Sequence, residues 1–568
     1  MAIRLECCVR VPMRDGCQLN ATLYMPGRMH SPGPCILTMT PYGWDDHHER
    51  AKYFAERGFL YAVVDVRGRG NSEGSFRPLI QEAHDACDAV EWAARSPLCN
   101  GKVAMKGGSY SGYCQWAAAK ESPRGLATIV PIASPYPGID FPMRNNVFYP
   151  YLLRWVAFTS GRARQSQLFA DDAFWSDQFR EWHESGESFE ALFNRIGEVP
   201  TSVKEWLDHP HPDEFWDRFN PSEGQYAKID IPTLTITGAY DDDQLGAMTH
   251  FAQSTAHAAN RDRHFLLIGP WDHAATGAPR RSIGGLDFHE DSVIDVQSLH
   301  LSWYRWIMEG GEQPDLLRAP VTYYISGAER WSYAQELSEV TRHTERLFLS
   351  SFGNPNDVRS PGQLDPSPGR GGPDEYEYDT ALLDGPEIEV EARSDGGSIV
   401  DQSVMVALTG RLLAYETAPF GYPRTISGFF RANLWLSLNR PDSDFYVTVH
   451  EVFSDGRVVR LSSDVMRARY RGGLRSATLV ETTEPLQYDF NRFTFVARRI
   501  EAGHRLRLVL APWGRPVDSI FTQRNFGGGG IVSKETVQQA GKARVRLFHD
   551  ARHPSVLSVP IGECVDGL

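Results

Sequence analysis

Between Cys35 and Ser134, short β-branched runs alternate with amphipathic stretches of helical period: CILTMT, HHERAKYFAERG, LYAVVDVRG, QEAHDACDAVEWAARS, GKVAMKGGS, GYCQWAAAK, LATIVPIAS. That alternation is a βαβ rhythm, and it predicts parallel strands joined by crossover helices. The run from Tyr61 to Val66 is apolar without alternation, which suits a strand covered on both faces. Residues 1–139 are therefore expected to form the first part of a doubly wound α/β sheet. At 568 residues the chain is about four times a typical domain, so two or three domains are expected and one small domain is excluded.

The rhythm is interrupted and then resumes. From 140 to 227 Trp, Phe and Tyr recur among charges at helical spacing, as in DDAFWSDQFREWHESGESFEALFNRIG, and the expectation is a helical cap inserted into the sheet. Residues 228–314 return to strand and helix with IPTLTITGAYDD, GAMTHFAQSTAHA, HFLLIGP and LHLSWYRWIMEGG. From 315 to 568 short alternating runs such as VTYYISG, DFYVTVHEVFSDGR and KARVRLFHD dominate, punctuated by Gly, Pro and Asp. An all-β C-terminal domain is expected there, a β-sandwich or jelly roll, with PSPGRGGPDEYEYD (366–379) read as a long loop or linker.

Charge and composition remove several functions. Lys and Arg number 58 against 72 Asp and Glu, a net charge of -14, which argues against a nucleic-acid partner held by phosphate neutralisation. No segment has the length and apolarity of a signal peptide or membrane span, so the expectation is a cytoplasmic chain with no membrane partner. The eight cysteines include no CxxC pair and are read as reduced thiols. Asp45, Asp46, His47 and His48 are metal-ligand types, but adjacent side chains point apart, so no metal is expected. The GRGNSEG after Val66 has Glu73 where a dinucleotide loop needs its third glycine, so no cofactor is expected. Asp65 and Arg67 are read instead as a structural pair.

The segment KGGSYSG (106–112) follows the apolar run VAM and precedes a helical stretch. A nucleophilic serine on a strand-to-helix turn needs small neighbours, and Gly107, Gly108 and Gly112 supply them. The usual G-x-S-x-G spacing is not met around either Ser109 or Ser111, so a structural turn competes with a nucleophile. Asp241 stands just past the strand TLTITGAY, and His273 stands 32 residues later, just past HFLLIGP. The order Ser, acid, His is that of α/β-hydrolase triads, in which imidazole takes the serine proton and the carboxylate holds the imidazole.

With these residues in view, the chain resembles the cocaine esterase, X-prolyl dipeptidyl peptidase and α-amino acid ester hydrolase group of serine hydrolases. The marks are VPMRDGCQLNATLYMP, TPYGW, DVRGRGNSEGSF, EWAARSPLCNGKVAMKGGSYSG, TGAYD, IGPWDHAATG, DFYVTVHEVFSDGR and GHRLRLVLAPWGRP. The group's G-x-S-Y-x-G form selects Ser109 as nucleophile. The resemblance further implies an α/β-hydrolase fold, and an oxyanion hole made by the Tyr110 N–H and the Tyr42 hydroxyl. It also suggests carboxylates for a substrate ammonium: Asp243 matches one, Gln244 departs from a second, and Asp140 is a candidate for a third. Trp155, Phe158 and Trp175, with Phe179 and Trp182, are candidate pocket walls in the cap, although such a stripe more often packs helices. The expected partner is a small acyl substrate: an ester, an amide or a short peptide. The alternative is an acyltransferase or lactone-forming enzyme using the same triad, and a homo-oligomer is compatible with the sequence.

Overall fold

The apolar runs of the N-terminal region become neighbouring strands of one sheet. In the computed structural model, which describes residues 3–197, 201–259, 261–369, 371–382, 398–513 and 522–563, the chain opens with the antiparallel ribbon β1 (Ile3–Pro12) and β2 (Gln18–Pro26). It continues through β3 (Gly33–Thr40), α1 (His48–Ala55), β4 (Leu60–Asp65), α2 (Glu82–Arg95), β5 (Cys99–Gly108), α3 (Tyr110–Ala119) and β6 (Leu126–Ile132). Residues Leu60–Asp65 are buried throughout, as a strand covered on both faces must be.

The insertion begins with a small hairpin, β7 (Met143–Arg144) and β8 (Val147–Phe148). Sequence periodicity does not anticipate it. The signal is Asn145-Asn146, both at positive φ, the pair of left-handed residues that a two-residue hairpin turn requires. The rest is helical: α4 (Tyr151–Thr159), α5 (Ser166–Phe169), α6 (Asp172–Ser185), α7 (Phe189–Leu192), α8 (Thr201–Asp208), α9 (Glu214–Asp217) and α10 (Glu223–Tyr226). Local chemistry starts several of these, since Asp171, Ser188 and Asp213 accept backbone N–H groups at the N-termini of α6, α7 and α9, and Ser222 with Gln225 forms a capping box on α10. Trp175, Trp182, Trp206 and Trp216 are buried between these helices.

The sheet resumes with β9 (Thr233–Tyr240), α11 (Gln244–His257) and β10 (His264–Asp272). A two-stranded ribbon, β11 (Ser282–Ile283) and β12 (Leu286–Asp287), precedes α12 (Val296–Tyr304). Two further strands, β13 (Val321–Ile325) and β14 (Arg330–Ala334), complete ten in the order β1-β2-β4-β3-β5-β6-β9-β10-β13-β14. The alternating texture of VTYYISG suggests the all-β region. Parallel pairing of Leu266 with Val321 instead extends the first sheet, because β13 runs beside β10. Phe54 of α1 and Trp303 of α12 pack on one sheet face, and Ala89 of α2 and Trp116 of α3 on the other.

Thirteen further strands among the described residues form a second sheet, antiparallel except for one parallel pair, Gly362–Asp365 with Leu413–Glu416. The expected linker 366–379 ends as a strand, Asp374–Asp379, whose alternation buries Tyr376 and Tyr378 against its partner Lys542–Phe548. The second sheet grips the cap hairpin. Asn145 Nδ2 donates to Asp464 Oδ1 at 2.9 Å, and buried Arg467 pairs with Asp444 while donating to the Asn146 carbonyl at 3.1 Å.

Arg67 pairs with Asp85 and Asp15, each at 2.7 Å, and not with Asp65, which is buried and accepts from Asn20 Nδ2. Asp46 pairs with Arg164, and His48 Nδ1 meets the Tyr24 hydroxyl, so both are occupied in packing. The seven described cysteines are free thiols. Cys564 and the 514–516 end of the GHRLRLVLAPWGRP motif lie outside the described residues. No described helix is long and apolar enough to cross a membrane.

Candidate active site

The strand order reverses at β3: β4 lies on one side of it and β5 on the other. Loops leaving the carboxyl ends of β3 and β5 therefore diverge and open a crevice, the usual ligand site of a doubly wound sheet. Tyr42 follows β3, Ser109 follows β5, Asp241 follows β9 and His273 follows β10.

Ser109 occupies φ 57°, ψ -129°, a conformation that side chains rarely adopt. It is held there by its N–H to the Ile132 carbonyl at 2.9 Å and by its own carbonyl, which starts α3 by accepting from Gly112 and Tyr113. The turn brings α3 back against β5 so closely that a Cβ on Gly107 would lie 2.5 Å from Ser111 Cβ. A Cβ on Gly112 would lie 3.0 Å from the Ile132 carbonyl and Ser134 Cβ, whereas one on Gly108 would meet nothing nearer than 3.6 Å. Two of the three glycines are thus required by close approach. Ser111 points into that contact and is buried, while Ser109 lines a cavity of about 90 Å³.

His273 Nδ1 lies 2.9 Å from Asp241 Oδ1. A carboxylate only accepts, so Nδ1 carries a proton, and in the neutral ring Nε2 is the acceptor. Asp241 is itself held rigidly. Its Oδ2 accepts from Thr237 Oγ1 at 2.8 Å, and its Oδ1 from the Asp243 N–H at 3.1 Å. Burial works against the His273 imidazolium, but the Asp241 hydrogen bond and the charges of Asp243, Asp241 and Asp242 outweigh it and raise the pKa to about 10.

The Tyr42 hydroxyl donates to Ser109 Oγ at 3.4 Å and accepts from Trp155 Nε1 at 3.3 Å, so its proton lies on the side of the nucleophile. Its ring stacks on Phe158, and burial raises its pKa, so it remains a neutral donor. Tyr110 turns its side chain into the core, where its hydroxyl accepts the Leu79 N–H at 2.6 Å.

The cavity is lined by Ser109, Tyr110, His273, Trp155, Asp242 and Asp243, and by Pro135, Phe141, Tyr149 and Tyr151, which sequence reasoning missed because lining depends on how the cap docks. Thr237 was missed for a similar reason, since nothing in its sequence context distinguishes it from other strand threonines. Phe158 supports Tyr42 without lining the cavity. Trp175 is 1% exposed, donates to the Leu168 carbonyl and packs inside the cap, so it is not a pocket wall.

Asp140 is likewise displaced from a binding role. Its oxygens accept the N–H groups of Tyr136 and of Gly246, in the first turn of α11, and the residue lies outside the cavity lining. Burial, then the charge of Asp243, pushes its pKa well above the usual carboxylate range, and burial raises Asp243 as well. Gln244 faces away too. Its amide donates to the Gly238 carbonyl at 2.9 Å and accepts the N–H of Phe495, which precedes the second-sheet strand Val496–Ile500, a pairing no carboxylate could make.

A doubly wound sheet with a serine on its strand-to-helix turn, beneath a helical cap, defines a serine hydrolase of the α/β type. Residues 15–275 match the family model of X-Pro dipeptidyl-peptidase (S15 family), and residues 317–525 match that of the X-Pro dipeptidyl-peptidase C-terminal non-catalytic domain. The chain belongs to this S15 family. It is 26% identical to the cocaine esterase of Rhodococcus sp. (strain MB1 Bresler), over 97% of this chain and 98% of that one. Among solved structures it resembles an α-amino acid ester hydrolase at TM-score 0.82 and 20% identity, covering 98% and 96% of the two chains. An aminopeptidase from a marine sediment Thaumarchaeota archaeon gives TM-score 0.83 at 21% identity, covering 99% and 96%.

Proposed function

We propose that this hydrolase cleaves a small ester or amide through an acyl-enzyme formed on Ser109. His273 Nε2 takes the serine proton as Oγ attacks the carbonyl, and Asp241 holds the tautomer and stabilises the imidazolium. The Tyr110 N–H and the Tyr42 hydroxyl receive the oxyanion; one such donor is worth about 3–4 kcal/mol elsewhere. His273 then returns the proton to the leaving group and activates the water that releases the acid. The observation that carries this reading is the opening of Ser109 and His273 onto one cavity, with Asp241 buried behind His273 at 2.9 Å. The cavity is smaller than the ~150 Å³ hole that accepts benzene in other proteins, which favours a compact acyl group.

Fluorophosphonate labelling followed by peptide mapping tests the assignment. Adduct on Ser109, abolished in His273→Ala, is expected; adduct on Ser111 or on neither serine would overturn it. Water is the proposed acyl acceptor, so an added alcohol should not divert most of the product from the free acid.

Asp242 and Asp243 favour a more specific substrate, an α-amino ester or amide with its ammonium beside Asp243. Comparing α-amino esters with their N-acetylated counterparts decides this, and equal rates would exclude a working carboxylate pocket.

A further inference from the structure

Behind the loop that carries His273, four nitrogen-bearing side chains gather without a carboxylate. Lys106 stands on β5 three residues before Ser109. Strand alternation turns it to the face where Ala104 packs with Phe54 of α1 and Tyr304 of α12. It is 3% exposed. His300 of α12 is 0% exposed, and neither of its ring nitrogens has a hydrogen-bond partner. His47, just before α1, is also buried. Arg50, half-buried on α1, reaches the His273 loop, its Nη2 lying 3.4 Å from where a Cβ on Gly277 would stand.

The charges acting on Lys106, His47 and His300 are all positive: Arg50 on each of the three, and Lys106 on both histidines. Among the described residues no Asp or Glu balances them. A buried charge persists only when paired, and buried polar nitrogens without partners are costly. Burial and Arg50 drive Lys106 well below its ordinary pKa, and burial holds His47 near 3. A water could serve one or two of these nitrogens but would bring no counter-charge to Arg50 and Lys106.

We propose that Lys106, Arg50, His47 and His300 form an internal site for a small monovalent anion of halide size, seated against the back of the His273 loop. The anion accepts from the Lys106 ammonium and from a His300 N–H, and offsets Arg50. Lys106, His47 and His300 are each buried, so the ion is small, and half-buried Arg50 is the member nearest solvent.

Anomalous diffraction at the bromine edge, from crystals of the full chain in bromide, tests the site. A peak enclosed by Lys106 Nζ, a His300 ring nitrogen and Arg50 is expected, and it should vanish in Lys106→Met, which keeps the volume but removes the donor. In parallel, Tm should rise with chloride against gluconate at constant ionic strength in the wild type and stay flat in Lys106→Met and in His300→Phe. Absence of the peak would overturn the proposal. A peak without any chloride dependence of Tm would mean an adventitious ion only, and would overturn it too. So would a carbamate resonance on Lys106 in protein equilibrated with ¹³C-labelled carbon dioxide, which would make the missing negative charge covalent.

Discussion

Asp241 Oδ1 accepts from two partners at once, His273 Nδ1 at 2.9 Å and the Asp243 backbone N–H at 3.1 Å. The carboxylate that orients the imidazole is thereby locked to the turn that presents Asp243 to the cavity. Orientation of His273 and the shape of the acidic turn are one structural unit.

Asp241→Asn breaks that unit while nearly preserving volume. An amide oriented to accept from the Asp243 N–H and His273 must leave its NH₂ toward Thr237, and the opposite orientation presents a donor to Nδ1–H and favours the wrong tautomer. By analogy with triads elsewhere, kcat should fall by about 10⁴ with KM changed only a few-fold. Steady-state hydrolysis of an aryl ester measures both constants.

Tyr42→Phe keeps the ring stacked on Phe158, at 5.5 Å between centroids, and removes only the hydroxyl. Loss of one oxyanion donor should lower kcat about 10² to 10³-fold. Thermal denaturation should show a nearly unchanged Tm. A large fall in Tm with a small fall in kcat would make Tyr42 a packing residue.

The pH profile follows from His273. Its pKa is raised to about 10 against burial, by the Asp241 hydrogen bond and the acidic turn, and only neutral imidazole is a base. The kcat/KM should therefore climb through neutral pH towards about 10. Asp243→Asn removes one of the raising charges and should shift the midpoint of that limb down by about one unit. Stability has the opposite sign: a raised histidine pKa stabilises the fold fully below the unfolded value of 6.5 and loses that contribution as pH rises through about 10. The Tm advantage of the wild type over His273→Gln should shrink across that window.

Gly107→Ala and Gly108→Ala should separate cleanly. The first places a methyl 2.5 Å from Ser111 Cβ and must push α3 off β5, a cost of about 1–3 kcal/mol. Because Tyr110 begins α3, activity should fall with Tm. The second meets nothing nearer than 3.6 Å and should leave Tm nearly unchanged. Calorimetry on the pair checks this.

How far the site was legible depended on how local its causes are. The turn at 106–112 could be read because it needs glycines beside it, the choice of Ser109 over Ser111 came with the family resemblance, and Asp241 and His273 were candidates because strand ends carry loops. Asp140 misled, because a carboxylate near the cap looks the same whether it faces a ligand or accepts two backbone N–H groups. Trp175 misled in the same way, since helical spacing says which face is apolar and not whether it packs on helices or on a cavity. The β7–β8 hairpin was written in Asn145-Asn146, but so short a ribbon has no periodicity to find. β13 was assigned to the wrong sheet because a strand's pattern does not name its partner.

The residues by themselves determined the alternation of strand and helix, the aromatic insertion, the β-rich last third and the turn that exposes Ser109, since each arises from side-chain period or from backbone freedom over a few neighbours. Tertiary structure alone decided which acids face His273, which aromatic rings line the cavity and which side of β5 collects Lys106 with His300. Those outcomes depend on strand order and on how the cap and second sheet dock, contacts between segments hundreds of residues apart that leave no mark on local spacing.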